Sequence, residues 1–105
     1  FSHYRRAQGA LLVYDVTKEK TFESVLRWME ELKTQADPDI VIILVANKVD
    51  LVEKDRSLRR VDSERAQQLA YEHGMLFEET SALTSQNVTH VFERLLQGMN
   101  WVIGI

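Results

Sequence analysis

The stretch Ile40-Val41-Ile42-Ile43-Leu44-Val45-Ala46 is the longest apolar run in the chain, and Asn47-Lys48-Val49-Asp50 follows it directly. The run lacks the alternation of a half-exposed strand and is typical of a parallel strand that is covered on both faces. It is also far shorter than the roughly 20 residues that are needed to cross a bilayer. The sequence therefore predicts a buried strand over 40–46 with a polar loop at its carboxyl end.

Two shorter apolar segments predict further strands, one before and one after this run in the sequence. They are Ala10 to Tyr14 and Met75-Leu76-Phe77. Strands that alternate with helices through right-handed crossovers give a parallel, doubly wound α/β sheet. The segment 53–60 is charged and has no apolar period, so a loop is expected there.

Three amphipathic segments predict the helices. The first helix is expected to start at Thr21 as its N-cap and to stop at Asp37-Pro38-Asp39, because proline disfavours helix at the preceding residue. The second is expected to open at Asp62 or Ser63 and to stop at Gly74. The third is expected from Ser85 or Asn87 onward. Their inward residues are expected to be Val25, Met29 and Leu32, then Ala66, Leu69 and Ala70, then Val88, Val91, Phe92, Leu95, Leu96 and Met99.

Asn47, Lys48 and Asp50 carry the side chains that reading guanine requires. Guanine presents two neighbouring donors, N1–H and the N2 amino group, and one carboxylate accepts both in a forked pair. Adenine presents an acceptor at N1, so the same carboxylate would lose its partner there. We expect Asp50 to accept from guanine, Asn47 to donate and accept, and Lys48 to lay its stem along the base. A polar turn without a ligand is the alternative that the tetrapeptide alone leaves open.

A second polar segment, Glu79-Thr80-Ser81-Ala82-Leu83, follows the third predicted strand. Parallel strands bring their carboxyl ends to one edge of the sheet, so this segment and 47–50 are expected to converge on a single ligand. In that arrangement Ser81 would hold the Asp50 carboxylate, and the backbone N–H of Ala82 would donate to guanine O6.

These motifs resemble those of Rab proteins, in the Ras superfamily of small GTPases. The matching segments are 4–15, 21–28, 47–50 and 79–82, and the resemblance covers nearly all of the chain. Leu83 stands where many relatives have lysine, and together with Ala36-Asp37 it makes the chain most similar to the recycling-endosome branch. The resemblance implies that residues 1–105 form the base-recognition half of a P-loop NTPase fold. The implied nucleotide contacts are Asn47, Lys48, Asp50, Ser81, Ala82 and Leu83.

The phosphate-handling motifs of that family are not found in this sequence. No glycine pair has the spacing of a Gly-x-x-x-x-Gly-Lys-Ser/Thr loop. The Mg²⁺-binding threonine and the Asp-x-x-Gly-Gln segment are missing too. The resemblance implies that the complete protein binds GTP or GDP with Mg²⁺ through ligands that this chain does not contain. No catalytic residue is therefore assigned, and hydrolysis by this chain alone is not expected.

Composition limits the partners. Sixteen acidic and thirteen basic residues give a net charge of −3, so nothing favours nucleic-acid binding. The chain has no cysteine, which excludes disulfides, thiolate zinc sites and the prenylated cysteines that anchor Rab-like proteins to membranes. The resemblance implies a cytoplasmic protein with effectors and exchange factors as partners. When complete and prenylated, it would lie on the cytosolic face of endomembranes.

Three functions remain open. The first is a GTP-hydrolysing switch in vesicle traffic, of which this chain is the guanine-nucleotide-binding part. The second is a truncated interaction module that binds partners or self-associates without a nucleotide. The third is another doubly wound nucleotide-binding protein. By resemblance, the strand at Ala10 to Tyr14 pairs with a strand of the missing half, so its edge is expected to be bare and to drive self-association.

Overall fold

The computed structural model describes residues 7–36, 38–80 and 101–104, of which Val49 and residues 101–104 are described by their backbone alone. The elements in chain order are β1 (Gly9–Asp15), α1 (Glu19–Gln35), β2 (Val41–Asn47), α2 (Val49–Lys54), a 3₁₀ turn (Arg56–Leu58), α3 (Ser63–Glu72), β3 (Leu76–Glu79) and β4 (Trp101–Gly104). The strands form one sheet in the order β3-β2-β1-β4, and every pair is parallel.

The strand order confirms the doubly wound α/β fold. β1, β2 and β3 are neighbours in chain order, whereas β4 lies on the other side of β1. The strand order thus reverses at β1, while all strands stay parallel, and such a reversal of order defines the switch point of a doubly wound fold. The carboxyl ends of β1, β2 and β3 therefore lie along one edge.

The two central strands are buried as the apolar run predicts, except that β2 begins with Val41, which is 43% exposed, and the half-buried Ile42. All seven residues of β1 are buried, and so are the residues of β2 from Ile43 onward. On one face, alternate residues of β1 join a cluster with the inward stripe of α1, which consists of Phe22, Val25, Met29 and Leu32. On the other face, Leu11 and Val13 are equally inaccessible. At about 25 cal/mol per Å² of apolar surface, this double burial contributes to the hydrophobic stabilisation of the fold.

α1 begins earlier than the sequence predicts. Its first residue is Glu19, and Thr21 lies inside the first turn instead of capping it. The Thr21 hydroxyl accepts a hydrogen bond from the Asp15 backbone N–H at 2.8 Å and donates to the Lys18 carbonyl at 2.7 Å. The expected N-cap was therefore wrong because this hydroxyl ties the helix to the end of β1.

α3 agrees closely with its prediction. Asp62 is the N-cap, and its carboxylate accepts from the Glu64 backbone N–H. Ala66 and Ala70 are buried, Leu69 is half-buried, and the chain turns at Gly74 with a positive φ of 66°. Local side-chain chemistry at both ends sets the bounds of this helix.

The loop expected over 53–60 is partly helical. α2 extends to Lys54, and the 3₁₀ turn follows it, with the Asp55 carboxylate accepting from the Ser57 N–H at 3.0 Å. Val52, only 6% exposed, holds α2 against the core through a single apolar side chain. A single buried residue produces no apolar periodicity, and the helix could therefore not be recognised in this charged sequence.

The expectation that the outer edge of β1 is bare was wrong over Gly9–Leu12. β4 pairs with β1 from Gly9 to Leu12, in parallel register with Trp101 to Gly104. The final helix, predicted from Ser85 or Asn87, lies outside the described residues. Among the described helices, none is long and apolar enough to cross a membrane.

Candidate functional site

The carboxyl edge of the sheet brings three strand ends together. Asp15 is the register partner of Asn47, and Ala46 is the partner of Glu79. The Thr80 backbone N–H donates to the Ala46 carbonyl at 2.8 Å, which extends the β2–β3 pairing by one step. Polar side chains at the ends of β1, β2 and β3 therefore share one short row.

The turn after β2 is built around a strained residue. Lys48 has a φ of 69°, in the left-handed region, and is the only non-glycine residue with positive φ among the described residues. Its backbone N–H donates to the Asn47 side-chain Oδ1 at 2.9 Å, and α2 begins immediately afterwards at Val49. The left-handed conformation costs a non-glycine residue about 1–2 kcal/mol. Such strain clusters at functional sites, where the surrounding structure holds it in place.

An ion pair fixes the Lys48 side chain. Its Nζ lies 2.8 Å from the Asp15 Oδ2, and the two side chains are 42% and 11% exposed. The other carboxylate oxygen of Asp15 accepts from the Thr17 backbone N–H at 2.9 Å and from the Thr17 hydroxyl at 2.6 Å. Within the part of the chain that the structure describes, the ammonium therefore has one partner, and the side chain still reaches solvent.

The pKa of Asp15 records the balance of these contacts. Burial by itself raises the pKa of this carboxyl, but the hydrogen bonds from Lys48 and Thr17 and the positive charge of Lys48 outweigh it. The net result is a pKa below the ordinary value, so Asp15 is ionised at neutral pH. The ionised carboxylate of Asp15 therefore holds the ammonium group of Lys48 in the ion pair.

Asp15 is a residue of this edge that the sequence motifs did not single out. It ends a buried strand, just as Asn47 does, and it lies directly beside Asn47 in the sheet. The signal that identifies it is a carboxylate at the end of an apolar run, combined with the strand order. That order is a property of the fold rather than of any motif.

Asp50 follows the turn after β2, and the described residues do not use its acceptors. It lies half-buried in the first turn of α2, and its side chain makes no hydrogen bond or ion pair with the described residues. Asn47, by contrast, is only 7% exposed and already uses its Oδ1 on the Lys48 backbone. The structure thus groups Asn47, Lys48 and Asp50 at one turn. Ser81, Ala82 and Leu83 lie outside the described residues.

A cavity of about 430 Å³ lies next to this turn, but the predicted site residues do not line it. Its described walls come from Val52, Glu53, Arg56, Arg59 and Glu79. Glu79 also accepts from the Ser63 hydroxyl at 2.6 Å, and the Arg59 guanidinium donates to the Val61 carbonyl at 2.8 Å. Two carboxylates and two guanidinium groups give this cavity no net charge.

Tyr14 places an unsatisfied hydroxyl under the same edge. The hydroxyl is buried and has no hydrogen-bond partner in the part of the chain that the structure describes. Burial raises the pKa of Tyr14, the Glu79 charge raises it further, and Arg59 acts in the opposite direction. The phenol is therefore neutral, and its ring packs edge-on against Phe22 with the centroids 5.0 Å apart.

The described residues do not contain a metal-binding cluster. Within 7–36, 38–80 and 101–104, no three His, Cys, Asp or Glu side chains converge in a way that would hold an ion. Asp15, which is the best-placed carboxylate, has both oxygens engaged by Lys48 and Thr17.

Comparison with known proteins adds an independent finding. The Ras family profile matches residues 1–100. The chain is 50% identical over 90 residues to Ras-related protein Rab-5A of Dictyostelium discoideum, covering 86% of this chain and 43% of that protein. It is 49% identical over 102 residues to Ras-related protein RABA2a of Arabidopsis thaliana, covering 97% and 45%. It is 47% identical over 95 residues to GTP-binding protein ypt3 of Schizosaccharomyces pombe, covering 90% and 42%. The chain thus spans less than half the length of these relatives.

Proposed function

The chain belongs to the Ras family, as a Rab-type member, and we propose that residues 1–105 are the base-recognition part of a small-GTPase domain. In this proposal the chain binds the guanine base of GTP or GDP, and the complete protein acts as a switch in vesicle traffic. Effectors, exchange factors and the cytosolic face of endomembranes are the partners proposed for the complete protein. The recycling-endosome branch stays a prediction.

The observation that carries the proposal is the position of the Asp50 carboxylate beside the turn after β2. Asp50 is half-buried, has no partner among the described residues and follows the strained Lys48 by two positions. A half-buried carboxylate whose oxygens have no described partner can accept two hydrogen bonds, and a ligand with two adjacent donors would supply them. Guanine offers that donor pair at N1–H and the N2 amino group.

The position of the Lys48 side chain also supports the proposed recognition of the guanine base. Its ammonium is held by Asp15 at 2.8 Å while the side chain remains 42% exposed, so its stem is pre-positioned and still accessible. A planar base stacked on this stem would bury apolar surface without displacing the ion pair. In the proposed site, Asn47 supports the turn, Lys48 covers a base face, and Asp50 reads the base edge. Ser81, Ala82 and Leu83 complete the proposed set of nucleotide contacts.

The residues of this chain do not fit the phosphates or Mg²⁺. The sequence has no Gly-x-x-x-x-Gly-Lys-Ser/Thr loop, and the described residues contain no cluster of metal ligands. We therefore derive no step of phosphate transfer through this chain. In the proposal, the phosphate and metal contacts belong to the other half of the complete protein.

One observation favours the second function, a non-catalytic interaction module. β4 occupies the outer edge of β1 over Gly9–Leu12. By resemblance, a strand of the phosphate-binding half pairs with β1, and β4 competes with that strand for the same backbone groups. A chain folded in this way is suited to binding a partner without the phosphate-handling half.

The proposal is tested by changing the base preference. Asp50→Asn replaces an acceptor with an amide whose NH₂ group faces a guanine donor, so GDP binding by this chain, which is only about −4 kcal/mol in total, should be almost entirely lost. Xanthine carries a carbonyl oxygen in place of the N2 amino group, and the new amide can donate to it. The variant should therefore bind XDP better than GDP, in the reverse of the wild-type order. Titrations of both nucleotides followed by NMR measure the two affinities.

Asp55→Asn is the matched control for this experiment. It makes the same change of charge in an exposed residue, and asparagine preserves the cap on the 3₁₀ turn. The control should keep the wild-type order of GDP and XDP. An Asp50→Asn variant with an unchanged GDP-to-XDP ratio would remove Asp50 from base reading. If the wild-type chain itself showed no preference between the bases, the interaction module would be supported instead.

A further inference from the structure

The cavity beside α2 collects four charged side chains that do not pair with one another. Its described walls are Val52, Glu53, Arg56, Arg59 and Glu79, and its volume is about 430 Å³. None of the ion pairs in the described part of the chain joins two of these side chains. Pockets that hold small molecules have volumes of about 300–1,000 Å³ and a few convergent polar groups. The cavity therefore has the size and the polar groups of a ligand site.

The Tyr14 hydroxyl supplies a second, independent observation at the same place. Tyr14 is 1% exposed, and its hydroxyl has no hydrogen-bond partner among the residues that the structure describes. Burial raises the pKa of this hydroxyl, and the charges of Glu79 and Arg59 also act on it. Both of these residues are walls of the cavity, so the hydroxyl lies close to its inner side. A buried hydroxyl without a partner is destabilising, and a polar ligand group bound in the cavity would supply that partner.

Arg59 and Glu79 use only part of their hydrogen-bonding capacity on the described residues. The Arg59 Nη1 donates to the Val61 carbonyl at 2.8 Å, and the Glu79 Oε1 accepts from the Ser63 hydroxyl at 2.6 Å. A guanidinium has five N–H donors, and a carboxylate has two oxygens. The described contacts thus hold both side chains in place and leave donors on Arg59 and an acceptor on Glu79 for a ligand.

These groups complement the two charged groups of an amino acid. The Arg59 guanidinium and the Tyr14 hydroxyl are donors that suit a carboxylate, and the second oxygen of Glu79 suits an ammonium group. Val52, which is 6% exposed, offers an apolar surface beside them. The walls carry two positive and two negative groups, so they favour a zwitterion over a simple anion or cation.

We propose that this cavity binds a small zwitterionic amino acid with an apolar side chain. The ligand's carboxylate accepts from Arg59 and from the Tyr14 hydroxyl. Its ammonium group donates to Glu79, and its side chain packs against Val52. No residue of 47–50 is among the described walls. The site is therefore separate from the proposed base-reading turn, and its occupancy does not depend on nucleotide binding.

Titration of the chain with L-leucine, without nucleotide, tests the proposal. NMR at the amides of 52–59 and 79 follows the binding. N-acetyl-L-leucine, which lacks the ammonium group, and L-leucine amide, which lacks the carboxylate, are the matched ligands. L-leucine should bind at least about tenfold more tightly than either, because each of them loses charge-assisted hydrogen bonds. Inorganic phosphate should not compete.

Three results of these titrations would overturn the proposal. The first is the lack of saturable L-leucine binding up to about 10 mM, which would leave the cavity to water. The second is equal affinity for L-leucine and its two analogues. The third is displacement of L-leucine by phosphate, which would make the cavity an anion site.

Tyr14→Phe tests the carboxylate end of the site. It removes the hydroxyl and keeps the ring, and because the hydroxyl has no described partner, the variant should be at least as stable as wild type. Its affinity for L-leucine should fall about tenfold, whereas its affinity for L-leucine amide should not change. Wild-type affinity for L-leucine in this stable variant would refute the proposed site, since a purely structural hydroxyl does not touch the ligand.

Glu79→Gln tests the ammonium end. The amide oxygen can still accept from Ser63, so the variant keeps that contact. Its affinity for L-leucine should fall at least about tenfold, and its affinity for N-acetyl-L-leucine should not fall. Glu78→Gln is the matched control, because the adjacent strand residue points to the opposite face and is not a described wall of the cavity. Equal L-leucine affinities of the Glu79→Gln and Glu78→Gln variants would contradict the proposal.

Discussion

Asp15 couples the end of the central strand to the turn that carries the candidate site. It receives Lys48 at one oxygen and Thr17 at the other, and its own backbone N–H donates to the Thr21 hydroxyl. One residue thus connects β1, the turn after β2 and the first turn of α1. Because its side chain is only 11% exposed, loss of its charge leaves several donors without an acceptor.

Asp15→Asn is expected to destabilise the fold in a pH-dependent way. The amide cannot accept from both Lys48 and Thr17 as a carboxylate does, so the free energy of unfolding at pH 7 should fall by about 1.5–3 kcal/mol. The folded-state pKa of Asp15 lies below its ordinary value of 3.8. A lowered pKa gives stability that is present above the unfolded-state pKa and is lost as the pH falls through the folded-state pKa. The difference between wild type and variant should therefore be full above about pH 5 and shrink below about pH 4.

Urea unfolding at pH 7 and at pH 3 measures this difference. Thr17→Val is the matched control, because it removes one donor to the same carboxylate and leaves the charge and the Lys48 contact intact. Its cost should be near 1 kcal/mol. An Asp15→Asn cost that stays constant down to pH 3 would show that the carboxylate is not held in its charged form by these contacts.

The positions of single residues were predicted correctly where they depend on neighbouring sequence. A contact was missed where it joins residues that are far apart in the chain. Asn47, Lys48 and Asp50 follow the apolar run directly, and the structure places all three at one strand end. The partner of Lys48 could not be read from the sequence, because Asp15 reaches it only through the pairing of β1 with β2. A contact between distant residues depends on sheet register, which a single strand does not reveal.

At the level of the elements, α3 shows how caps make a helix predictable. Asp62 accepts from the first turn, and Gly74 turns the chain after the last one, so both ends have their own signal. α1 has no side-chain hydrogen bond at its N-cap, Lys18, and the N-cap was predicted three residues too late, at Thr21. α2 and β4 are short and lack any periodic signal, and the sequence did not reveal either.

Gly74→Ala should cost about 1 kcal/mol of unfolding free energy. A Cβ built at this position would meet no atom within 4 Å, so no steric clash contributes. The cost comes from the positive φ of 66°. Residues with a Cβ, other than asparagine, adopt this conformation at an energetic penalty. Gly74→Asn should therefore cost clearly less than Gly74→Ala. Thermal or urea unfolding of the two variants measures the pair, and equal costs would contradict the backbone explanation.

At the scale of the whole molecule, the two sides of β1 serve different purposes. On the side of β2, the carboxyl ends of the strands form a polar edge. Asp15 and Asn47 lie at the strand ends, and Asp50 lies in the helix that follows β2. Away from β2, the edge over Gly9–Leu12 holds β4. The parallel sheet and the polar loop at its carboxyl edge were predictable because apolar runs and helix stripes repeat along the chain. The sequence did not predict how the free edge is closed, because four apolar residues match many possible neighbours.

The last prediction follows from this division of the molecule. If the chain holds a nucleotide through the base alone, then guanosine, GMP, GDP and GTP should bind with similar affinities, all near the millimolar scale, or about −4 kcal/mol. A phosphate-binding loop would instead make affinity rise steeply with each added phosphate, because its backbone N–H groups and lysine contact the phosphates directly. The sequence has no such loop, and the described residues contain no site for Mg²⁺, so the metal should leave the affinities unchanged. Titrations of the four ligands with and without Mg²⁺, followed at the amides of 47–50, give the comparison, and Asp50→Ala serves as the loss-of-binding control. Submicromolar binding of GTP, or a steep increase from guanosine to GTP, would show that this chain contacts the phosphates and would refute base recognition as its whole contribution.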